Sequence, residues 1–141
     1  MRTISTPELA GHLRLIIVRT ARRLRQEAGS ELSPSMTAAL STVERHGPMT
    51  PSELAARERI QRPTATRVLA RLEEAGLVQR TPDPQDRRSS LLSATPAARE
   101  LLAELRTRKT AFLAERLERL SADERATLDR AADILERMLA E

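Results

Sequence analysis

In this chain a hydroxyl residue stands directly before a proline at Ser33-Pro34, Thr50-Pro51 and Thr95-Pro96, among other places. A serine or threonine in extended backbone caps the free amides of a helix start, and a proline at the first helical position sets φ where no N–H is needed. Each dipeptide therefore predicts a helix beginning there. At Thr50 an acid three residues on, Glu53, completes the capping-box pattern, and Ser121-Ala122-Asp123-Glu124 repeats that pattern without a proline.

The apolar residues between these starts keep helical spacing. Leu9, Leu13, Ile16, Ile17 and Leu24 predict one long amphipathic helix from Pro7 to about Ala28, and Met36, Leu40 and Val43 a second, ending near His46-Gly47. A short third helix runs from Pro51 through Arg59. A fourth begins near Arg62 or Pro63, carries Ala65, Val68, Leu69 and Leu72 on one face, and ends at Gly76 as C-cap. Leu77–Thr81 and Ser89–Ala94 read as strands around Pro82-Asp83-Pro84-Gln85-Asp86-Arg87-Arg88, a polar connector whose prolines forbid a continuous helix. After Thr95-Pro96, Leu101, Leu105, Phe112, Leu113, Leu117 and Leu120 form a stripe over many turns. Leu128, Ala131, Ala132, Leu135, Met138 and Leu139 form another.

The predicted fold is mainly α with a small β-hairpin wing: a winged helix-turn-helix flanked by long N- and C-terminal helices. Residues 33–95 form the compact lobe, and residues 7–29 and 96–141 the outer helices. Apolar stripes on those outer helices exceed what one small lobe covers, so a second copy of the chain is the expected partner.

Composition agrees with a helical core and narrows the chemistry. Of 141 residues 40% are hydrophobic, yet Phe112 is the only aromatic and there is no cysteine. Disulfides, thiolate metal sites and cysteine nucleophiles are excluded. No apolar run approaches the roughly 20 residues of a membrane span, and the first residues carry no apolar signal core, so a cytoplasmic chain without a membrane partner is expected. His12 and His46 stand alone, no nucleophile has a visible base, and only four glycines are present with no phosphate-binding loop. No catalytic residue, metal site or cofactor is expected, and the chain does not read as an enzyme.

The net charge is +4, and every basic residue except Lys109 is arginine. In a helix-turn-helix the second helix enters the major groove of double-stranded DNA with its early residues against base edges. Gln61, Arg62, Thr64, Thr66 and Arg67 hold those positions, with Arg71 one turn on from Arg67. Arginine bonds guanine N7 and O6 bidentately, and threonine reaches phosphate or the thymine methyl. Arg87 and Arg88 at the hairpin tip can enter the adjoining minor groove. Asp86, beside them, is expected to pair with an arginine of the wing or recognition helix. An ordinary solvated arginine face, on a winged helix that docks a protein and reads no DNA sequence, is the alternative.

Several segments resemble the MarR-type (multiple antibiotic resistance regulator) winged-helix repressors. They are Met49-Thr50-Pro51-Ser52-Glu53-Leu54-Ala55, Arg62-Pro63-Thr64-Ala65-Thr66-Arg67, Leu72-Glu73-Glu74-Ala75-Gly76-Leu77-Val78, Asp83-Pro84-Gln85-Asp86-Arg87-Arg88 and Thr95-Pro96-Ala97. The resemblance spans nearly the whole chain and implies a single domain over 1–141. It also implies a triangular homodimer joined through the first and last two helices, and a palindromic operator. It carries Arg62, Thr64, Thr66 and Arg67 over as groove contacts and Asp86 and Arg88 as a wing-tip pair. Members usually repress transcription, and many release DNA when a small aromatic or lipophilic acid binds between the dimer helices and the lobe. In that geometry His12, Ile16 and Met36 border the effector pocket. The chain departs from the family in lacking the aromatics that often line this pocket and the cysteine of peroxide-sensing members. Gln61 also replaces a common serine cap, and Ala98 a common glycine.

Overall fold

In the computed structural model, which describes residues 3–140, the hydroxyls of Ser33, Thr50, Thr95 and Ser121 each accept the backbone N–H three residues on, at 3.1–3.2 Å. From these caps run α2 (Pro34–His46), α3 (Pro51–Glu58), α5 (Pro96–Glu118) and α6 (Ala122–Leu139); α1 (Thr6–Ala28) precedes them. The helix α4 (Arg62–Glu74) and the strands β1 (Val78–Pro82) and β2 (Ser90–Ala94) lie between α3 and α5. At Ser121 the box is complete, with Glu124 returning to the Ser121 amide at 3.0 Å. At Thr50 only the hydroxyl half of the expected box forms, because the Glu53 carboxylate stays in solvent. A box not anticipated from the sequence opens α1: Ser5 and Glu8 cap each other's amides.

The lobe closes around Leu40 and Val43 of α2, Leu54 of α3, Leu69 and Leu72 of α4, Leu92 of β2 and Leu102 of α5, all essentially inaccessible. Burying each such side chain contributes about 1.5–3 kcal/mol, so seven of them dominate the stability of a lobe this small. The hairpin is antiparallel with Val78 opposite Ala94 and Arg80 opposite Leu92. Met49, just before α3, exchanges two backbone hydrogen bonds with Leu92 (3.0 and 2.8 Å), tying the wing's second strand to the helix-turn-helix. At the wing's base Gly76 adopts φ 74°, one residue beyond the helix cap Ala75. Its carbonyl accepts the Thr95 hydroxyl at 2.8 Å.

The outer helices are attached differently. The helix α5 packs along α1, Arg106 bonds Glu44 of α2 at 3.0 Å, and the guanidinium groups of Arg23 and Arg116 lie over the Phe112 ring, 5.5 and 4.2 Å from its centre. Ala28 is the only buried residue of α1, and α6 buries none. The α6 periodicity, which predicts a helix with one covered side, therefore finds only partial cover among the described residues, at half-buried Ala131 and Leu135. Ile17 is 50% and Met138 59% exposed, large values for apolar residues on a repeating face.

Candidate nucleic-acid interface

The turn joining α3 to α4 is three residues long because Arg59 takes the left-handed conformation, φ 54°, allowing Ile60 to fold back and donate to the Ala55 carbonyl at 3.0 Å. Gln61 then caps α4 without a side-chain hydrogen bond, leaving the first amides of α4 without a side-chain acceptor. Ala65, Leu69 and Leu72 are buried and Val68 is half-buried, which fixes the rotation of α4 on the lobe. Arg67 accordingly projects from the side opposite the core, with Arg62 and Thr66 on one flank and Arg71 on the other, and all four are exposed. Thr64 differs from the expectation: it is half-buried, and with Arg67, Arg71 and Val68 it lines a cleft against Ser35 and Met36 of α2.

The wing tip is built by short-range hydrogen bonds. Asp83 Oδ1 accepts from the Gln85 amide and Asp86 Oδ1 from the Arg88 amide, each at 3.0 Å. The Ser89 amide donates to the Asp86 carbonyl, also at 3.0 Å. Asp86 therefore makes no ion pair with an arginine among the described residues, contrary to expectation. Its carboxylate is used locally because a two-residue reach to a backbone amide orders less chain than immobilising a guanidinium. Arg87 and Arg88 are left exposed at the tip. The wing arginine that is held by an acid is one the sequence reading passed over: Arg80 Nε donates to Glu73 Oε2 at 3.1 Å.

Two of the three effector candidates lie on α1 and the third on α2. His12 and Ile16 are exposed on α1, and Met36 sits on α2 in the cleft beside α4. The α1 helix packs chiefly on α5. A cavity of about 250 Å³ does form where the end of α1, the start of α2 and α5 converge, lined by Arg25, Gln26, Leu32, Thr37, Leu105 and Lys109. Nothing short-range in the sequence marks it, since its walls come from residues 80 positions apart.

Among the described residues no three histidines, cysteines or carboxylates gather as metal ligands, and no helix is long and apolar enough to cross a membrane. A helix-turn-helix with an exposed basic second helix, followed by a hairpin with an Arg-bearing tip, defines the winged helix-turn-helix class.

The MarR family model matches residues 32–90. The chain is 40% identical to an uncharacterized HTH-type transcriptional regulator of Mycobacterium leprae, over 97% of this chain and 96% of that one. A crystal structure from Pseudomonas aeruginosa PA01 superposes with a TM-score of 0.86 at 33% identity, covering 98% of both chains. The PcaV transcriptional regulator of Streptomyces coelicolor, solved with its natural ligand, gives a TM-score of 0.66 at 25% identity, covering 99% of this chain and 98% of that one. The chain belongs to the MarR family of winged helix-turn-helix transcriptional regulators.

Proposed function

We propose that this protein is a homodimeric transcriptional repressor that reads a palindromic operator with one α4 helix per half-site. The observation that carries the reading is the division of α4 into two sides. Ala65, Leu69 and Leu72 lock it to the lobe while Arg62, Thr66, Arg67 and Arg71 face outward together. In the major groove Arg62 and Arg67 bond base edges, each good bidentate contact discriminating by about 1–3 kcal/mol, and Thr66 and Arg71 hold the flanking phosphates. Thr64 contributes from the cleft wall. Arg87 and Arg88 enter the minor groove, with Asp86 shaping the turn that presents them. Residues 33–95 act as the DNA-binding lobe, and 7–29 with 96–141 as the dimerisation helices, whose exposed apolar faces cover one another between two copies. The role is one of binding, carried out in the cytoplasm where the operator is, and involves no catalysis.

Release by a small acid is the second part of the reading. The cavity between α1, α2 and α5 joins the dimerisation helices to the lobe, is apolar at Leu32 and Leu105, and carries Arg25 and Lys109 at its wall. A carboxylate on an apolar body matches that lining, and filling it would change the angle of the lobe on the dimer.

Selecting bound fragments from the source genome tests the main reading. The expected result is a palindrome with half-sites about 34–36 Å apart. Binding should be lost in Arg67→Ala while the dimer persists. Recovery of no fragment, or of fragments that Arg67→Ala binds equally well, would overturn it.

A further inference from the structure

Resting on that DNA-binding reading, we infer that Arg80 is a phosphate contact in the gap between recognition helix and wing, and that Glu73 is the positioning residue that aims it. Residues directly opposite in an antiparallel pair share a face of the hairpin, as do residues two apart along a strand. Arg80 lies opposite Leu92 and two residues from Val78, which lies opposite Ala94. Val78, Leu92 and Ala94 are all buried against the lobe. Arg80 therefore sits on the underside of the wing, the side turned toward α4, just past the point where the core ends. There its side chain is 45% exposed and meets Glu73 in the last turn of α4.

A helix in the major groove and a hairpin tip in the neighbouring minor groove straddle one sugar-phosphate strand, because a strand is what separates two adjacent grooves. The underside of the wing faces that strand. The bond to Glu73 uses Nε alone. The two terminal amines of Arg80 have no protein acceptor among the described residues, and a guanidinium held by one edge presents the other in a fixed direction. An exposed ion pair of this kind adds little to folding stability. Its consequence is the orientation of a long side chain that would otherwise sample many rotamers, at the junction of the two DNA-reading elements.

The test compares the full-length protein with Arg80→Ala, Arg80→Gln, Glu73→Ala, Glu73→Gln and Glu73→Ala/Arg80→Ala on a duplex that the wild type binds, across a range of salt. Both Arg80 variants are expected to bind roughly tenfold more weakly, by the same factor on operators of altered base sequence. Their log–log salt slope should be shallower by about 0.9, the signature of one lost phosphate. Glu73→Ala is expected to weaken binding only when Arg80 is present, and Glu73→Gln, which keeps an acceptor for Nε, to restore most of the loss. Unchanged affinity and slope in the Arg80 variants would overturn the contact. A Glu73→Ala effect of equal size in the Arg80→Ala background, or tighter binding by Glu73→Ala, would overturn the positioning role. Failure of the wild type to bind any duplex would instead overturn the functional reading beneath both.

Discussion

Arg108 reaches from the middle of α5 to donate from Nη1 to the carbonyl oxygen of Ala28, the last residue of α1, at 2.8 Å. It closes one of the carbonyls that a helix end leaves without an intrahelical donor, and Glu104 steadies it from one turn back along α5. The bond joins the outer helices where the chain turns into the lobe. Replacing Arg108 by alanine should cost about 1 kcal/mol and speed hydrogen exchange in the last turn of α1 while leaving the amides of α4 unchanged. Uniform protection in both helices of the variant would contradict this.

Gly47 ends α2 in a space with no room for a methyl group. A Cβ there would lie 2.5 Å from the Val43 carbonyl oxygen and 3.4 Å from that of Leu92, both backbone atoms that cannot swing aside. Gly47→Ala should destabilise the lobe by about 1–3 kcal/mol, read from the denaturant midpoint. An unchanged midpoint would show that the α2 end shifts freely.

Arg59 makes the helix-turn-helix turn at φ 54°, a conformation costing an L-residue roughly 1–2 kcal/mol that glycine does not incur. Its side chain is exposed. Arg59→Gly should therefore raise the thermal midpoint, the relief exceeding the glycine's added unfolded-state entropy. A lowered midpoint would mean that the arginine makes contacts outweighing its backbone strain.

Acid should weaken the fold through three glutamates. The hydrogen bond from Arg106 holds the Glu44 carboxyl below its ordinary value of 4.5, with desolvation opposing. Bonds with Ser5 and Ser121 do the same for Glu8 and Glu124 at the starts of α1 and α6. A carboxyl whose folded pKa is depressed stabilises above its unfolded value and loses that contribution as pH falls through the folded one. Between pH 6 and 3 the melting temperature should thus fall less in Glu44→Gln than in the wild type, and start lower. Parallel curves would remove Glu44 from the acid response.

Much of this fold is legible in the sequence because its boundaries are set by local chemistry. Ser33, Thr50 and Thr95, each before a proline and a run of helically spaced apolar residues, cap α2, α3 and α5, whereas Thr81 before Pro82 lies in β1. Where two hydroxyls compete, as at Ser5 and Thr6, the choice is made by Glu8 and was not anticipated. The core face of α4 follows from the spacing of Ala65, Leu69 and Leu72, and the exposure of Arg62, Thr66 and Arg67 follows from that face.

What escapes such reading depends on how elements dock. Asp86 had two partners within its chemistry, a guanidinium and a backbone amide, and only the folded turn shows that the Arg88 amide takes it. The pairing of Glu73 with Arg80 crosses a helix end, a left-handed glycine and the start of a strand, so no periodicity marks it. His12 and Ile16 stand one turn apart on α1 while Met36 lies on α2 beside α4, a placement written in how the helices dock and not in any one segment.

The central claim is that two copies of this winged helix grip one duplex. Sedimentation velocity at low ionic strength, run on the protein alone and with a duplex carrying the selected palindrome, tests it most directly. The account predicts a dimer by itself and a complex of two chains per duplex that dissociates as salt is raised. A protein that sediments as a monomer, and leaves the duplex unshifted, would contradict it.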